Sequence, residues 1–223
     1  MSAIEVRRSA QARRLRLSID PASGTVRLTL PRRAPLKPAL AWAQGQSEWI
    51  ARQRAQLPES KPFVPGAIIS VDGEDLELRH DPHAPRRPQR SPGCLTIGGP
   101  AEGFSARAER WLKQEALRVL EAETRDLAAT IRVSVTQVGV GDPRSRWGSC
   151  SSSGAIRYSW RLILAPPFVR RATVAHEVAH RVHMNHSPEF HALAASLTDG
   201  DPQESRAWLR AHGAALHWYG RSS

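Results

Sequence analysis

The histidine-rich stretch over residues 172–191 constrains the fold more than any other part of the sequence. Five of the nine histidines lie between His176 and His191, and residues 176–180 read His-Glu-Val-Ala-His. On a helix, residues four apart lie on one face about one turn apart, so the two imidazoles of this pentapeptide can reach a single ion. The sequence therefore predicts a helix here, with a metal site on one face.

The residue types of this pentapeptide suit a catalytic zinc ion. Such an ion takes three protein ligands and leaves its fourth position to a water molecule, whose pKa falls towards neutrality. His176 and His180 supply two of the ligands. Glu177 follows the first ligand, where a carboxylate can take the proton from the bound water. We therefore predict that Glu177 is the general base.

The third ligand has three candidates. His183 lies on the same helical stripe, but on a straight helix its backbone is roughly 10 Å from that of His176, so one ion is not expected to hold all three. Asn185 tolerates left-handed backbone angles, and Ser187-Pro188 is typical of an N-cap and first helical position. A turn after about residue 184 would return His186 to the site. We assign His186 as the third ligand, and Glu204 on a later helix is the alternative.

A solvated histidine-rich helix is the competing interpretation, because a lone motif of this kind occurs by chance on surface helices. Two further features favour the metal site. A helix break and another histidine follow the motif, and a stripe of small residues that suits close packing runs beside it. That stripe consists of Ala172, Ala175, Ala179 and Val182.

Length and composition indicate a globular protein that stays in the cytoplasm. The 223 residues can bury a substantial core. No apolar run is long enough to cross a bilayer, and the first eight residues lack the apolar segment of a signal peptide. Cys94 and Cys150 are far apart and have no neighbours at metal-ligand spacing, so we expect reduced thiols.

The positive charge raises the question of an anionic partner. The net charge is +11, and 29 of the 32 basic residues are arginines, a residue type that recognises phosphate and carboxylate groups. Residues 1–90 hold 16 basic and 9 acidic residues, which is +7 of the excess. The arginines are scattered, which favours a solvated surface. A basic face for nucleic acid or nucleotide is the alternative.

Hydrophobic patterning predicts a β-rich N-terminal lobe. Gly98-Gly99-Pro100 is the expected lobe boundary, giving domains over residues 1–100 and 101–223. The elements expected before this boundary are a β-hairpin over 13–30, a helix over 37–57, a second hairpin over 69–78, a surface loop over 80–93 and a strand over 94–97.

The second half of the chain is expected to hold the metal site. A helix over 104–129 and a strand over 131–135 precede the serine-rich turn between Gly148 and Gly154. The strand that follows, at 155–161, is a candidate edge on which an extended peptide can add. Two further helices are expected after Ser187 and after Asp201. The candidate substrate-binding residues are Tyr158, Trp160, Arg161 and His183.

Several linked motifs together resemble those of a known family. They are Arg-Trp-Gly-Ser-Cys at 146–150, Trp-Arg-Leu at 160–162, Pro166, the motif at 176–180, and Asn-His-Ser-Pro-Glu-Phe at 185–190. This combination resembles the YgjP-like metal-dependent hydrolases, which are related to the SprT-like zinc metallopeptidases. The likeness extends from about Arg8 to about Trp218. One departure is His191, where relatives commonly have an aromatic residue such as Trp.

The resemblance implies an α+β, zincin-like fold in which the active-site helix packs on a small mixed or antiparallel sheet. It also implies one zinc ion per chain, held by His176, His180 and His186, with Glu177 as the catalytic carboxylate. The expected function is a metallopeptidase acting on a peptide or protein. A metal-dependent nucleoside triphosphate (UTP) pyrophosphatase is the alternative, and a nucleic-acid-associated module with a structural zinc is the second alternative. No membrane association is expected.

Overall fold

A computed structural model describes residues 4–221, and the chain divides into two compact units, over residues 1–59 and 60–223. The division therefore lies well before the boundary predicted near residue 100. The reason is that the strands preceding residue 100 share one hydrophobic core with the helices that follow it. That core runs from Phe63 through Leu95 and Leu112 to Leu216.

Three strands form the sheet of the first unit. They are β1 (Ile4–Ser9), β2 (Arg16–Ile19) and β3 (Val26–Pro31), in the order β1-β3-β2. β2 and β3 are antiparallel, which confirms the predicted hairpin, and β1 lies parallel to β3. Val26, Leu28 and Leu30 alternate with half-buried residues along β3, and the two leucines pack against the helix that follows.

Two short helices follow this sheet, α1 (Leu36–Gln44) and α2 (Ser47–Arg54). The prediction of one continuous helix over 37–57 was therefore wrong. The helix ends at Gly45, and Gln46 leaves helical geometry with φ −92° and ψ 28°. Glycine is a poor helix former, and α2 buries no side chain that would hold the two segments in line.

The second unit begins with a four-stranded sheet and a long helix. Its strands are β4 (Ile68–Val71), β5 (Glu74–His80), β6 (Gln89–Ser91) and β7 (Cys94–Ile97), in the order β4-β5-β7-β6. The second hairpin is confirmed, and its turn residues Asp72 and Gly73 both have the positive φ that such tight turns require. The segment predicted as a loop over 80–93 contains β6. Helix α3 (Phe104–Thr130) follows, close to its predicted bounds.

A small mixed sheet lies between α3 and the histidine-rich segment. It consists of β8 (Gln137–Gly141), β9 (Gly148–Cys150) and β10 (Ala155–Ser159), in the order β8-β10-β9. The strand predicted over 131–135 was wrong, because Arg132 takes a left-handed φ of 55° and the chain turns there. β10 lies in the centre of this sheet, so the prediction that it forms a free edge was also wrong. The edges are β8 and β9.

Three helices complete the unit: α4 (Pro167–Ala179), α5 (Pro188–Ser196) and α6 (Pro202–Leu216). A 3-10 helix over Trp160–Leu164 connects β10 to α4. Both predicted N-caps are confirmed. The Ser187 hydroxyl accepts a hydrogen bond from the Phe190 backbone N–H, and the Asp201 carboxylate accepts one from that of Gln203.

A buried arginine fixes α4 against its neighbours. Arg170 is only 2 % exposed, and its guanidinium lies 2.8 Å from Glu123 on α3 and 2.6 Å from Asp72 in the turn between β4 and β5. On other faces of the helix, Val169, Val174 and Val178 lie in the core.

The observed mixture of helices and small sheets confirms the α+β class. Cys94 and Cys150 are both free thiols. Within residues 4–221, none of the helices has the length and apolar character needed to cross a membrane.

Candidate metal centre

The end of α4 positions the first two histidines. His176 lies in the last full turn of the helix, and His180 is the C-cap residue that follows Ala179. The turn expected after about residue 184 comes earlier, because the backbone N–H groups of Val182 and His183 both bond back to the Ala179 carbonyl. The chain then reverses and enters α5 through Ser187, which returns His186 to the helix it has just left.

The three imidazoles converge on one point. The ligand nitrogens of His176, His180 and His186 all lie within 4.8 Å of one another, and Nε2 of His176 is 3.2 Å from Nε2 of His186. Two nitrogens bound to one tetrahedral zinc ion lie about 3.3 Å apart. The geometry and the nitrogen donors therefore fit a divalent transition metal. Neither Glu204 nor the side chain of His183 belongs to this cluster among the described residues.

The aromatic ring of Phe190 packs against all three histidines. Its ring is fully buried and lies 4.9 Å from the ring of His176, 4.5 Å from that of His180 and 4.8 Å from that of His186, measured between centroids. The contact with His180 is a stacked one. Because the first turn of α5 holds this ring, the position of that helix determines how the histidines meet.

His183 contributes to the centre through its backbone. Its carbonyl oxygen lies 3.0 Å from Nδ1 of His180. When Nδ1 carries the proton and donates to this carbonyl, Nε2 is left as the lone-pair nitrogen that a metal requires. The turn after α4 therefore fixes both the orientation and the tautomer of the second histidine.

The surroundings of His176 and His180 keep these two imidazoles neutral. Burial lowers the pKa of His176 to about 4, and the neighbouring His180 and His186 add to this effect. Burial also lowers the pKa of His180. The neutral imidazole is the form that binds a metal ion, so these two histidines are ready to bind one at neutral pH.

Glu177 lies beside the cluster, between α4 and β9. Its side chain is 5 % exposed, and it occupies the space where a side chain at position 148 would otherwise stand: a Cβ added to Gly148 would lie 2.5 Å from Oε1 of Glu177. Burial raises the pKa of Glu177 to about 7, although the positive charge of Arg146 acts in the opposite direction. Within residues 4–221, no donor forms a hydrogen bond to this carboxylate.

An open cleft of about 280 Å³ leads to His176 and Glu177. Two arginines from different elements, Arg146 just before β9 and Arg206 on α6, bring positive charge to its walls. Other side chains on its walls are Trp147, Thr173, Thr198, Ser205 and Leu209.

Three of the four predicted substrate-binding residues lie in the core instead. Tyr158 is 1 % exposed and its hydroxyl bonds with that of Thr124, 3.0 Å away. Trp160 is fully buried. Arg161 is 7 % exposed and bonds to the Asp142 carboxylate at 2.7 Å. The prediction that these three residues bind substrate was wrong, because none of them lines the cleft. The alternation along the strand marks a buried face, which we had interpreted as a binding face. The side chain of His183, the fourth, also lies outside the lining.

Sequence reasoning missed the residues that line the cleft from α6 and the start of β9. Nothing in the sequence marks Arg206 as a cleft residue, because an arginine on an amphipathic helix is typical of a solvated surface. Trp147 lay within a motif that we noted, but its partner was not predictable: a Cβ added to Gly213 on α6 would lie 2.8 Å from Cζ2 of Trp147. A glycine in the interior of a helix is the one signal that a close contact exists there.

A metal-dependent hydrolase is the class of protein that this site and fold indicate. The sequence matches the family described as YgjP-like, metallopeptidase domain, over residues 13–212. The chain therefore belongs to the YgjP-like family, as the sequence motifs indicated. No curated protein and no solved structure matches the chain. Membership of a metallopeptidase family implies a divalent metal, and the three histidines are placed to bind one.

Proposed function

We propose that this protein is a zinc-dependent metallopeptidase with a zincin-like core, in which α4 carries the catalytic residues and packs beside the β8-β10-β9 sheet. The observation that carries this proposal is the convergence of His176, His180 and His186 next to the buried carboxylate of Glu177. Three imidazoles suit zinc among the common divalent ions. The zincin-like arrangement is supported by the contact between Gly148 of β9 and Glu177 of α4.

The chemistry divides between the ion and the protein. When held by His176, His180 and His186, a zinc ion would act as a Lewis acid, which would lower the pKa of water and polarise a carbonyl group. Glu177 accepts the proton of the attacking water on its carboxylate and passes it to the amine that leaves. The carboxylate is buried beside the three histidines, where it is held within reach of both the water and the leaving amine.

Arg146 is our candidate for stabilising the negative charge that develops on the carbonyl oxygen. It lines the cleft with His176 and Glu177, and its charge is felt at Glu177. Guanidinium is charged at every working pH and carries five donors. The two tyrosines of the chain are less suitable for this role: Tyr158 is buried, and the Tyr219 hydroxyl accepts a hydrogen bond from the Lys61 ammonium group.

The edge strand β9 is our candidate for holding the substrate backbone. Among the strands within residues 4–221, β9 pairs only with β10, and Gly148 at the start of β9 lines the cleft beside Glu177. An extended peptide added along such an edge forms backbone hydrogen bonds regardless of its sequence. This would bring a peptide bond past the metal centre and leave side-chain selection to the walls of the cleft.

The test combines metal content with turnover in the Glu177→Gln variant. We expect the variant to retain one zinc ion per chain and to lose at least about 100-fold in the rate of cleavage of a peptide library or of casein. Glu204→Gln is the matched control, since Glu204 is exposed and lies outside the cluster. It should equal the wild type in both measurements. Full activity of Glu177→Gln would refute the proposed base.

A second assay arm separates substrate classes. The same proteins are given UTP, and pyrophosphate release is measured beside peptide cleavage. Because the cleft is lined by Arg146 and Arg206, it can also attract phosphates. Pyrophosphate release that depends on Glu177, without cleavage of any peptide, would replace the peptidase proposal with the nucleotide hydrolase.

A further inference from the structure

The positive charge of the chain is concentrated in the first compact unit. Residues 1–59 contain 11 basic and 4 acidic residues, a net charge of +7. The remaining residues contain 21 basic and 17 acidic residues, a net charge of +4 in a segment nearly three times as long. The small unit therefore carries +7 of the net charge of +11, and the metal centre lies in the other unit.

Arginines of the second unit are widely used in ion pairs. Arg90, Arg118, Arg161 and Arg170 each contact a carboxylate within 3.0 Å. These ion pairs give the four arginines a structural role, which explains their presence without an external partner. A charge-based partner for the chain must therefore be sought among arginines that lack such a role.

Within the first unit, two arginines stabilise the fold. Arg8 donates hydrogen bonds to the backbone carbonyls of Arg32 and Ala34, which secures the chain after β3. Arg27 on β3 contacts Glu5 on β1 at 3.2 Å. Both therefore have partners within the unit.

Arg13, Arg14 and Arg16 have no such partner. Arg13 and Arg14 lie in the loop between β1 and β2, and Arg16 begins β2. All three are exposed, and no carboxylate within residues 4–221 lies at ion-pair distance from any of them. Three unpaired guanidinium groups within four residues repel one another, so an anion between them would be stabilising.

These three arginines line a groove of about 470 Å³ on the open face of the sheet. The register places Arg16 of β2 beside Thr29 of β3, and Thr29 beside Arg7 of β1. Residues aligned in this way point to the same face, which is the face opposite the core residues Leu28 and Leu30. The groove also contains Ser9, Gln11 and Thr29, whose side chains can donate to phosphate oxygens.

We propose that this face of the first unit binds the phosphate backbone of a nucleic acid duplex. The groove has the donors that phosphate contacts use, namely arginine, hydroxyl and amide groups. It has no aromatic side chain on which an unpaired base could stack. Recognition by charge alone does not depend on sequence, and it favours a duplex because a duplex carries a higher density of phosphate charge than a single strand.

The test measures binding of the full chain to a fluorescein-labelled DNA duplex at several salt concentrations, by fluorescence anisotropy. Replacing Arg13, Arg14 and Arg16 together with Gln should weaken binding more than tenfold at low salt. The slope of log K against log salt should fall by about 0.9 for each phosphate that the variant no longer neutralises. Replacing the same three residues with Lys should restore most of the affinity, because an ammonium group also binds phosphate.

The control variant changes Arg110, Arg132 and Arg210 to Gln. These residues lie in the second unit, are exposed, and have no carboxylate partner among residues 4–221. Both triple variants lose the same charge, so a difference between them reports the location of the binding face. Equal affinity of the two variants for the duplex would overturn the proposal. Tighter binding of single-stranded DNA, or of vesicles containing anionic lipid, would do so as well.

Discussion

Glu177 occupies the space that the missing side chain of Gly148 leaves beside β9. A Cβ at position 148 would lie 2.5 Å from Oε1, 2.6 Å from Cγ and 2.8 Å from Cδ of Glu177. Real Cβ atoms do not approach other heavy atoms this closely, so any larger residue would displace the carboxylate. The position of the Glu177 carboxylate therefore depends on the glycine at position 148, although 29 positions separate the two residues in the sequence.

Gly148→Ala should therefore inactivate the enzyme without removing its metal. The added methyl group moves the Glu177 carboxylate, and misplacing a catalytic group by about 1 Å can cost about 100-fold in rate. Gly139→Ala is the matched control, because its Cβ would only touch Arg157 at 4.0 Å in the same sheet. Peptide cleavage and zinc content of both variants are the measurements. Unchanged cleavage by Gly148→Ala would contradict this coupling.

His186→Ala should release the metal, because His186 supplies one of the three nitrogens of the cluster. We expect zinc affinity, measured by competition with a chromophoric chelator, to fall by more than about 100-fold. His191→Ala is the control: its ring lies 6.1 Å from that of His186, and it is not part of the cluster. A His186→Ala protein that retains wild-type affinity would return the third-ligand assignment to His183 or Glu204.

The convergence of the histidines was predictable because its causes are local in sequence. A four-residue spacing fixes His176 and His180 on one helical face, and Ser187-Pro188 fixes the start of the next helix. Only the position of the turn differed, since the helix ends at Ala179. A short segment with strong helix-start signals leaves few routes by which His186 can return.

The substrate-binding residues were not predictable in this way. Alternation along β10 shows that Tyr158 and Ile156 share a face, but a sequence pattern does not show whether another layer covers that face. In the structure, α3 covers this face, and the hydroxyl of Thr124 on α3 forms a hydrogen bond with the Tyr158 hydroxyl. The contact between Gly148 and Glu177 likewise depends on how β9 packs against α4, which no local signal encodes.

Arg170→Met should destabilise the second unit, because it removes the buried guanidinium that joins α4 to Glu123 and Asp72. Breaking a buried pair by removing one partner costs about 3–5 kcal/mol. We expect the low end of this range, since the two carboxylates are 17 % and 33 % exposed and can be hydrated. The free energy of unfolding in urea is the measurement.

The neighbouring Arg171→Met is the control for this prediction. The Arg171 side chain is 55 % exposed and lies 3.4 Å from the same glutamate. An exposed pair of this kind contributes at most about 1 kcal/mol. Equal losses of stability in the two variants would show that burial of Arg170 is not what gives its ion pairs their strength.

The pair formed by Asp142 and Arg161 should make stability depend on pH. Burial raises the pKa of Asp142, but the hydrogen bonds from Arg161 outweigh it and hold this pKa below its usual range. A carboxyl group whose pKa is lower in the folded state stabilises that state above the unfolded pKa of about 3.9, and the contribution is lost as the pH falls below it. Asp142→Asn removes this dependence.

Urea unfolding of the wild type and of Asp142→Asn, followed between about pH 6 and pH 3, would test this dependence. The wild type should be the more stable protein at pH 6, and the difference should shrink as the pH falls, because protonation removes the charge that Arg161 contacts. Asp126→Asn, an exposed residue of α3 without an ion pair among residues 4–221, should follow the wild type throughout. A difference that stays constant with pH would mean that Arg161 is held by its bonds to the Leu216 and Tyr219 carbonyls, whatever the charge on Asp142.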